Sequence, residues 1–390
     1  MDSISILVVL AAFLFYINHH WLKLPSAIGI MSSSLILSLG VIASATVFPD
    51  INNKIIWFVK SIEFNVALMQ WMLCFLLFAG SLQIRVSELH QFKFIIAALS
   101  ILGVLISTFV FGTLVYFVFH LLALNIPYIW CLLLGALISP TDPVAVLALI
   151  RGKVSKSLEV KISGESLFND GTGVVVFTII LGMIVNGTEI KMSSICLLFI
   201  KEAIGGAIIG FLTGKLAYKM IKSVDYYTLE ILITIALVMG TSSLAAALHS
   251  SSPIAVVIAG LLIGSQGREF AMSDKTREHL YSFWELIDEV LNSVLFLLIG
   301  IEILVIELHQ NFVAVFLSIP LMLIARYVSV YSIVKFSRFT WAYGGISVAL
   351  ALSLPKSSER ELFIAITYGL VLFSILVQGL TLERLVRKYK

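Results

Sequence analysis

The sequence predicts an all-α polytopic membrane protein of about thirteen transmembrane helices, judged from its apolar runs. Three observations carry that prediction. The 390-residue chain is 59% hydrophobic and 13% charged, whereas a soluble domain carries roughly 25% charge and at most about half apolar residues. Its mean hydropathy is +1.04. The apolar residues fall in runs of the length that crosses a bilayer, about 20 residues each. A bilayer offers backbone groups no water, so such runs become helices whose N–H and C=O groups bond internally. The net charge of +3 leaves no strongly basic surface for nucleic acid.

Taken in order, the runs lie near 3–22, 26–48, 62–82, 94–120, 126–150, 159–186, 194–220, 227–249, 252–266, 281–306, 311–335, 339–354 and 361–383. The first lacks the positive leader of a cleavable signal, so it is expected to stay as a helix. The fifth holds Pro140 and Pro143 around Thr141-Asp142, and the twelfth is short and holds Gly344-Gly345. Proline removes a backbone donor and glycine loosens a helix, so both spans are expected to break. They stand seven apart, which fits inverted repeats of spans 1–6 and 8–13 with the seventh as connector. Secondary transporters place their substrate where such discontinuous helices meet near the midplane.

Lysine and arginine set the orientation. One set of loops, with Lys23, Arg85, Arg151 to Lys161, Lys215 to Lys222, Arg268 to Arg277 and the C-terminal residues, holds 19 of them. The alternate set holds 6, and Arg326 lies inside the eleventh span. The C-terminus is therefore expected in the cytoplasm and the N-terminus outside. Cys74, Cys131 and Cys196 all sit in apolar runs and read as packing residues, and the histidines show no ligand spacing. No cofactor is expected.

Two polar clusters interrupt the apolar pattern, Ser139-Pro-Thr-Asp-Pro143 and Gly164-Glu-Ser-Leu-Phe-Asn-Asp-Gly171. Carboxylates within a span cost a few kcal/mol each to insert and mark function by default, about 3 kcal/mol on insertion scales. In the sixth span Glu165, Ser166, Asn169 and Asp170 share one arc of a helix, with Glu165 over Asn169 and Ser166 over Asp170. Asp142, between two prolines, can cap the second half of a broken helix and also bias a cation site. Thr141 offers a hydroxyl and a carbonyl oxygen of the kind hard cations take. Arg326 at depth needs a carboxylate; Glu165, at the far edge of the arc, suits it better than Asp170. Glu302, near the end of the tenth span, reads as an outer headgroup residue without a role, and Asp288, Glu289 and Asn292 read as helix packing.

At these residues the chain resembles the monovalent cation:proton antiporters of the NhaP-like, sodium/hydrogen-exchanger type. Besides the two clusters, the likeness takes in Leu291-Asn-Ser-Val-Leu-Phe-Leu-Leu-Ile-Gly-Ile301, Ala325-Arg326, Ile346-Ser-Val-Ala-Leu-Ala-Leu-Ser-Leu-Pro355 and Leu376-Val-Gln-Gly-Leu-Thr-Leu382. The resemblance implies an elevator antiporter with a core bundle at about 94–186 and 311–383, and a dimerisation scaffold at about 1–82 and 194–306. It implies a homodimer in the plasma (inner) membrane. It assigns Asn169-Asp170 as the pair at the ion, Asp170 as the carrier of proton or cation, and Thr141, Asp142 and Ser166 beside it. Arg326 would pair with Glu165, and a single Asp preceded by Asn implies electroneutral exchange. Two departures stand out. Ala79 occupies a third-span position where many relatives carry an acid, and Trp341-Ala-Tyr343 replaces a Gly-Gly-Leu-Arg segment.

The expected function is exchange of Na⁺ (or Li⁺ or K⁺) for H⁺, the two competing for Asp170. An empty, charged site would be too costly to move through hydrocarbon, and that penalty couples the fluxes. A cation channel or proton leak would need a continuous polar pore or rings of charge, whereas the sequence offers one short polar layer. An intramembrane aspartyl enzyme using Asp142 and Asp170 would need two carboxylates sharing a proton.

Overall fold

The structure, a computed structural model, describes residues 3–44, 49, 54–57, 59, 66–140, 155–186, 192–267, 271–304, 308–333, 351, 354–355 and 358–378. Among these residues all regular structure is helical. The helices are α1 (Ser3–Ile17), α2 (Ser26–Ser44), α3 (Val66–Gln83), α4 (Val86–Gln91), α5 (Lys93–Leu121), α6 (Tyr128–Ile138), α7 (Lys156–Asn186) and α8 (Met192–Lys222). They continue with α9 (Tyr227–Ala247), α10 (Ser252–Leu262), α11 (Asp274–Ile301), α12 (Leu308–Ile333) and α13 (Ser358–Phe373). Eight are long and apolar enough to cross a membrane. The halves of the fifth and twelfth runs at 141–150 and 339–350 lie outside the described residues. Helix α4 is an addition, six residues of mixed polarity that hydropathy alone reads as loop.

Two of these ends show how local chemistry shapes the path. Ser251 caps α10 by accepting from the Ile254 N–H, and Pro253 opens the helix where its missing donor costs nothing. At α6, the Ser139 hydroxyl donates to Gly135 O (2.7 Å) and pairs with Thr108 of α5 (3.0 Å), so the last turn is tied down just before Pro140.

Helix packing sorts into groups. One apolar cluster joins α5, α6, α7, α12 and α13 through Phe111, Leu134, Phe177, Met322 and Phe363. A second joins α3, α8, α9, α10 and α11 around Trp284, which stacks against Phe75 and Phe78. In that group Gly206, Gly210 and Gly214, one per turn of α8, let its backbone approach Ser251, Ala255 and Ala259 of α10. Small residues at this spacing are the usual means of close helix contact in lipid. The opposite face of α8 exposes Leu197, Ile200, Ile204, Ile208, Phe211 and Leu216, a stripe suited to acyl chains.

A third cluster lies between these groups. There α1, α2 and the second half of α11 meet Tyr368 and Val371 of α13 and Ile375 in the π-helical turn (Ser374–Gln378) that follows it. Helix α13 is thus two-faced: Phe363, Ile366 and Leu370 serve the first cluster, and Tyr368 and Val371, rotated around the helix, with Ile375 just beyond it, serve the third.

Candidate functional site

Helix α7 carries the polar arc. Its 31 residues span about 46 Å, so both ends clear a hydrocarbon layer of about 30 Å. Asp170 lies about 21 Å from the Lys156 end and about 24 Å from the Asn186 end. Glu165, Ser166, Asn169 and Asp170 are each at most 5% exposed.

Arg326, on α12, donates from Nη2 to Glu165 Oε1, and both side chains are buried. Packing along one face of α12 places it there. Met322, Ala325 and Ser329 are buried at neighbouring turns, and the Ser329 hydroxyl donates to Gly103 O of α5 at 2.8 Å. With its flanks so held, Arg326 has little freedom to reach the membrane surface. Taking one partner from such a buried pair leaves a bare charge, which costs several kcal/mol, about 3–5 in measured cases.

Two glycines flank Asp170 at helix crossings. A Cβ on Gly171 would meet Ile254 Cγ1 of α10 at 2.7 Å, and one on Gly173 would overlap the Pro140 ring. Gly173 is one turn on from Asp170, on its side of the helix. The residues that end α6 therefore abut α7 beside Asp170. Thr141 and Asp142, next in the chain, lie outside the described residues, as do Trp341-Ala-Tyr343. Ala79 is buried in the cluster around Trp284, among apolar side chains of α3, α8, α9, α10 and α11. No group of three or more His, Cys, Asp or Glu able to hold a metal occurs among the described residues. Cys74 and Cys131 are buried and free.

Two further acids are buried, Glu302 and, unnamed by the sequence pattern, Glu230. Glu230, fully buried near the start of α9, accepts from the Tyr226 N–H and the Thr276 hydroxyl, both at 3.2 Å, and so ties α9 to the start of α11. Glu302 is 8% exposed, in a 3₁₀ turn (Glu302–Leu304) after α11 that packs against α2. Asn292 is buried and Asp288 half-buried on α11.

A multi-pass bundle with one buried carboxylate held by arginine and another at a helix crossing near mid-span defines an integral membrane transporter rather than an enzyme. Residues 8–388 match the family described as "Sodium/hydrogen exchanger, transmembrane". The chain belongs to that family. It is 43% identical to the Na(+)/H(+) antiporter NhaP of Pseudomonas aeruginosa, over all of this chain and 96% of that protein. It is 32% identical to the Na(+)/H(+) antiporter NhaH of Halobacillus dabanensis, over 94% of this chain and 92% of the relative. The solved structure of the sodium proton antiporter MjNhaP1 from Methanocaldococcus jannaschii at pH 8 has the same fold. Its TM-score is 0.78 at 20% identity, covering 99% of this chain and 98% of the other.

Proposed function

We propose that this chain is an electroneutral antiporter exchanging Na⁺, or Li⁺ or K⁺, for H⁺, with Asp170 as the group that carries cation and proton in turn. Family membership and fold support cation/proton exchange at the coarse level. The observation that carries the finer reading is the placement of Asp170, buried halfway along a membrane-crossing helix, beside the Pro140 end of a span interrupted by proline.

In this mechanism Glu165 is neutralised by Arg326 and takes no part in transport; the pair ties α7 to α12. Asn169 stabilises the site by hydrogen bonding, and Ser166 supplies an oxygen one turn from Asp170. Thr141 and Asp142, which directly follow Pro140 in the chain, complete the cation's ligands and shape the broken helix. A proton or a cation on Asp170 neutralises the site for transit, and the bare carboxylate stays put because its desolvation is costly. One charge therefore leaves for each that arrives, which makes exchange electroneutral.

The moving part is a core of α5–α7 with α12 and α13, the fixed part a scaffold of α1–α3 with α8–α11, and transport is by an elevator displacement of one against the other. The packing supports this division, because the fully buried residues of the cluster around Phe363 and of the cluster around Trp284 come from different helices. The full topology is thirteen spans in inverted repeats, with the fifth and twelfth broken. The chain acts as a homodimer in the plasma (inner) membrane, N-terminus outside and C-terminus cytoplasmic.

The test is Asp170→Asn in vesicles with a pH-sensitive dye. The expected outcome is loss of Na⁺-driven proton movement with an unchanged melting temperature. Retained exchange would sink the assignment.

A further inference from the structure

One buried polar contact of the core has no task in the mechanism above. Thr108 of α5 and Ser139, at the end of α6, are each 1% exposed, and their hydroxyls lie 3.0 Å apart. A hydroxyl carries one proton, and Ser139 gives its own to Gly135 O at 2.7 Å. Thr108 is therefore the donor, and the bonds run from Thr108 through Ser139 to Gly135. The helices come this close because α6 has glycine where they cross: a Cβ on Gly135 would overlap Thr108 O.

This bond closes a circuit of four helices. Glu165 of α7 holds Arg326 of α12, and Ser329, three residues on, donates to Gly103 O of α5 at 2.8 Å. Thr108 joins α5 to α6, and the Pro140 ring returns the circuit to α7 at Gly173, one turn from Asp170. The Thr108 link falls where the chain is least able to hold itself. Pro140 has no N–H for the α6 ladder, and Pro143 repeats the loss. Where a helix inside a membrane loses its own donors, neighbouring helices and Ser or Thr side chains take over. Thr108 engages the last residue before that gap, from outside α6. It thus bears on the direction in which the chain leaves the helix.

We propose that Thr108 is a positioning residue for cation binding: its bond to Ser139 fixes the exit of the chain from α6, and so sets where Thr141 and Asp142 meet a cation on Asp170. The proposal rests on the reading of Asp170 as the carrier. A proton binds one carboxylate oxygen and needs no shell around it. A hard cation needs several oxygens at one distance. Loosening the exit from α6 therefore weakens the cation and leaves the proton as it was. A hydroxyl placed only to pack α5 on α6 would instead change how much active carrier the membrane holds.

The two roles separate in everted vesicles with a pH-sensitive dye, with Na⁺ varied at several pH values. Competition for one carboxylate keeps the half-saturating Na⁺ concentration flat at high pH and raises it below a bend set by the proton affinity of the site. Thr108→Val keeps the side chain's shape and removes its donor. It is expected to raise half-saturating Na⁺ about fivefold at every pH, what one neutral hydrogen bond of ordinary net strength is worth, with the bend unmoved. Thr108→Ser keeps the donor and should restore wild-type values. If Thr108→Val yields no folded protein, Ser139→Ala, which removes the acceptor, carries the same test with the same expected shift. A lower maximal rate with unchanged half-saturation, a bend displaced in pH, or a Thr108→Ser variant as impaired as Thr108→Val would overturn the proposal. Wild-type vesicles without exchange, or exchange that survives Asp170→Asn, would defeat the carrier reading instead.

Discussion

Glu165 and Glu302 are both buried acids, and they are held in different ways. Glu165 and Arg326 touch directly, inside the group of helices that packs around Phe363, and the helices carrying them are bonded to their neighbours on either side. Glu302 sits in the turn that ends α11 and packs against α2, while Arg360 Nε is engaged by Leu354 O. The first pair joins parts that stay together. Glu302 sits where the end of the scaffold helix α11 meets α2.

The largest expected effect falls on the permanent pair. Arg326→Ala should lower stability by about 3–5 kcal/mol, because Glu165 is left charged and buried. Detergent-solubilised protein would register this as a fall in melting temperature and in recovered yield. Replacing both residues by methionine should return most of that loss, since buried ion pairs replaced by apolar residues of similar volume are often neutral or better, to within about 1–4 kcal/mol. Recovered exchange in that double variant would strengthen the division of labour between Glu165 and Asp170. A stable but inactive protein would show that the pair has a part in transport.

A second, smaller effect tests the crossing beside Asp170. Gly173→Ala places a methyl into the Pro140 ring and should cost about 1–3 kcal/mol, the usual range for overpacking. Gly182, on the same helix, has open space within 4 Å, so Gly182→Ala should gain up to about 1 kcal/mol through helix propensity. Exchange should slow in the first variant and not in the second. Equal behaviour of the two would mean that the approach of Pro140 to α7 is not needed for the site.

Much of this architecture is legible in the sequence because a membrane simplifies the code. Apolar runs must be helices, so α7 and the arc from Glu165 to Asp170 follow from periodicity alone, and a cation such as Arg326 inside a run must find a carboxylate. What hydropathy supplies is position along a helix; lateral position is set by which helices cross. Glu302 shows the gap. By depth it belongs with the headgroups, yet it is buried because its turn packs against α2, a helix more than 250 residues earlier in the chain. Glu230 is hidden for the same reason, its partner Thr276 lying on a helix that starts far along the chain. Helix α4 escaped because six residues with Glu88 and His90 give no hydropathy signal, although α4 is anchored where Glu88 meets Lys156 of α7.

The acid without an arginine contact should respond more weakly than the paired one. Glu302→Gln keeps the side chain's volume and removes a buried acid, so its effect on stability is expected to stay within about 1 kcal/mol, below any effect of splitting the Arg326 pair. A loss as large as that of Arg326→Ala would erase the contrast between the two regions and make Glu302 a structural residue.

The smallest effect on stability is the most telling. Tyr368→Phe deletes a buried hydroxyl that completes no hydrogen bond in this structure. Removing a polar group that pays desolvation without a bond should be neutral or stabilising, within about 0.5 kcal/mol of wild type or better. A packing residue would then be expected to leave transport untouched as well. If the hydroxyl instead finds a partner once the core has moved, its deletion favours the arrangement seen here over the displaced one. Turnover would change while the melting temperature does not. A tyrosine kept there for bulk alone predicts no change in either.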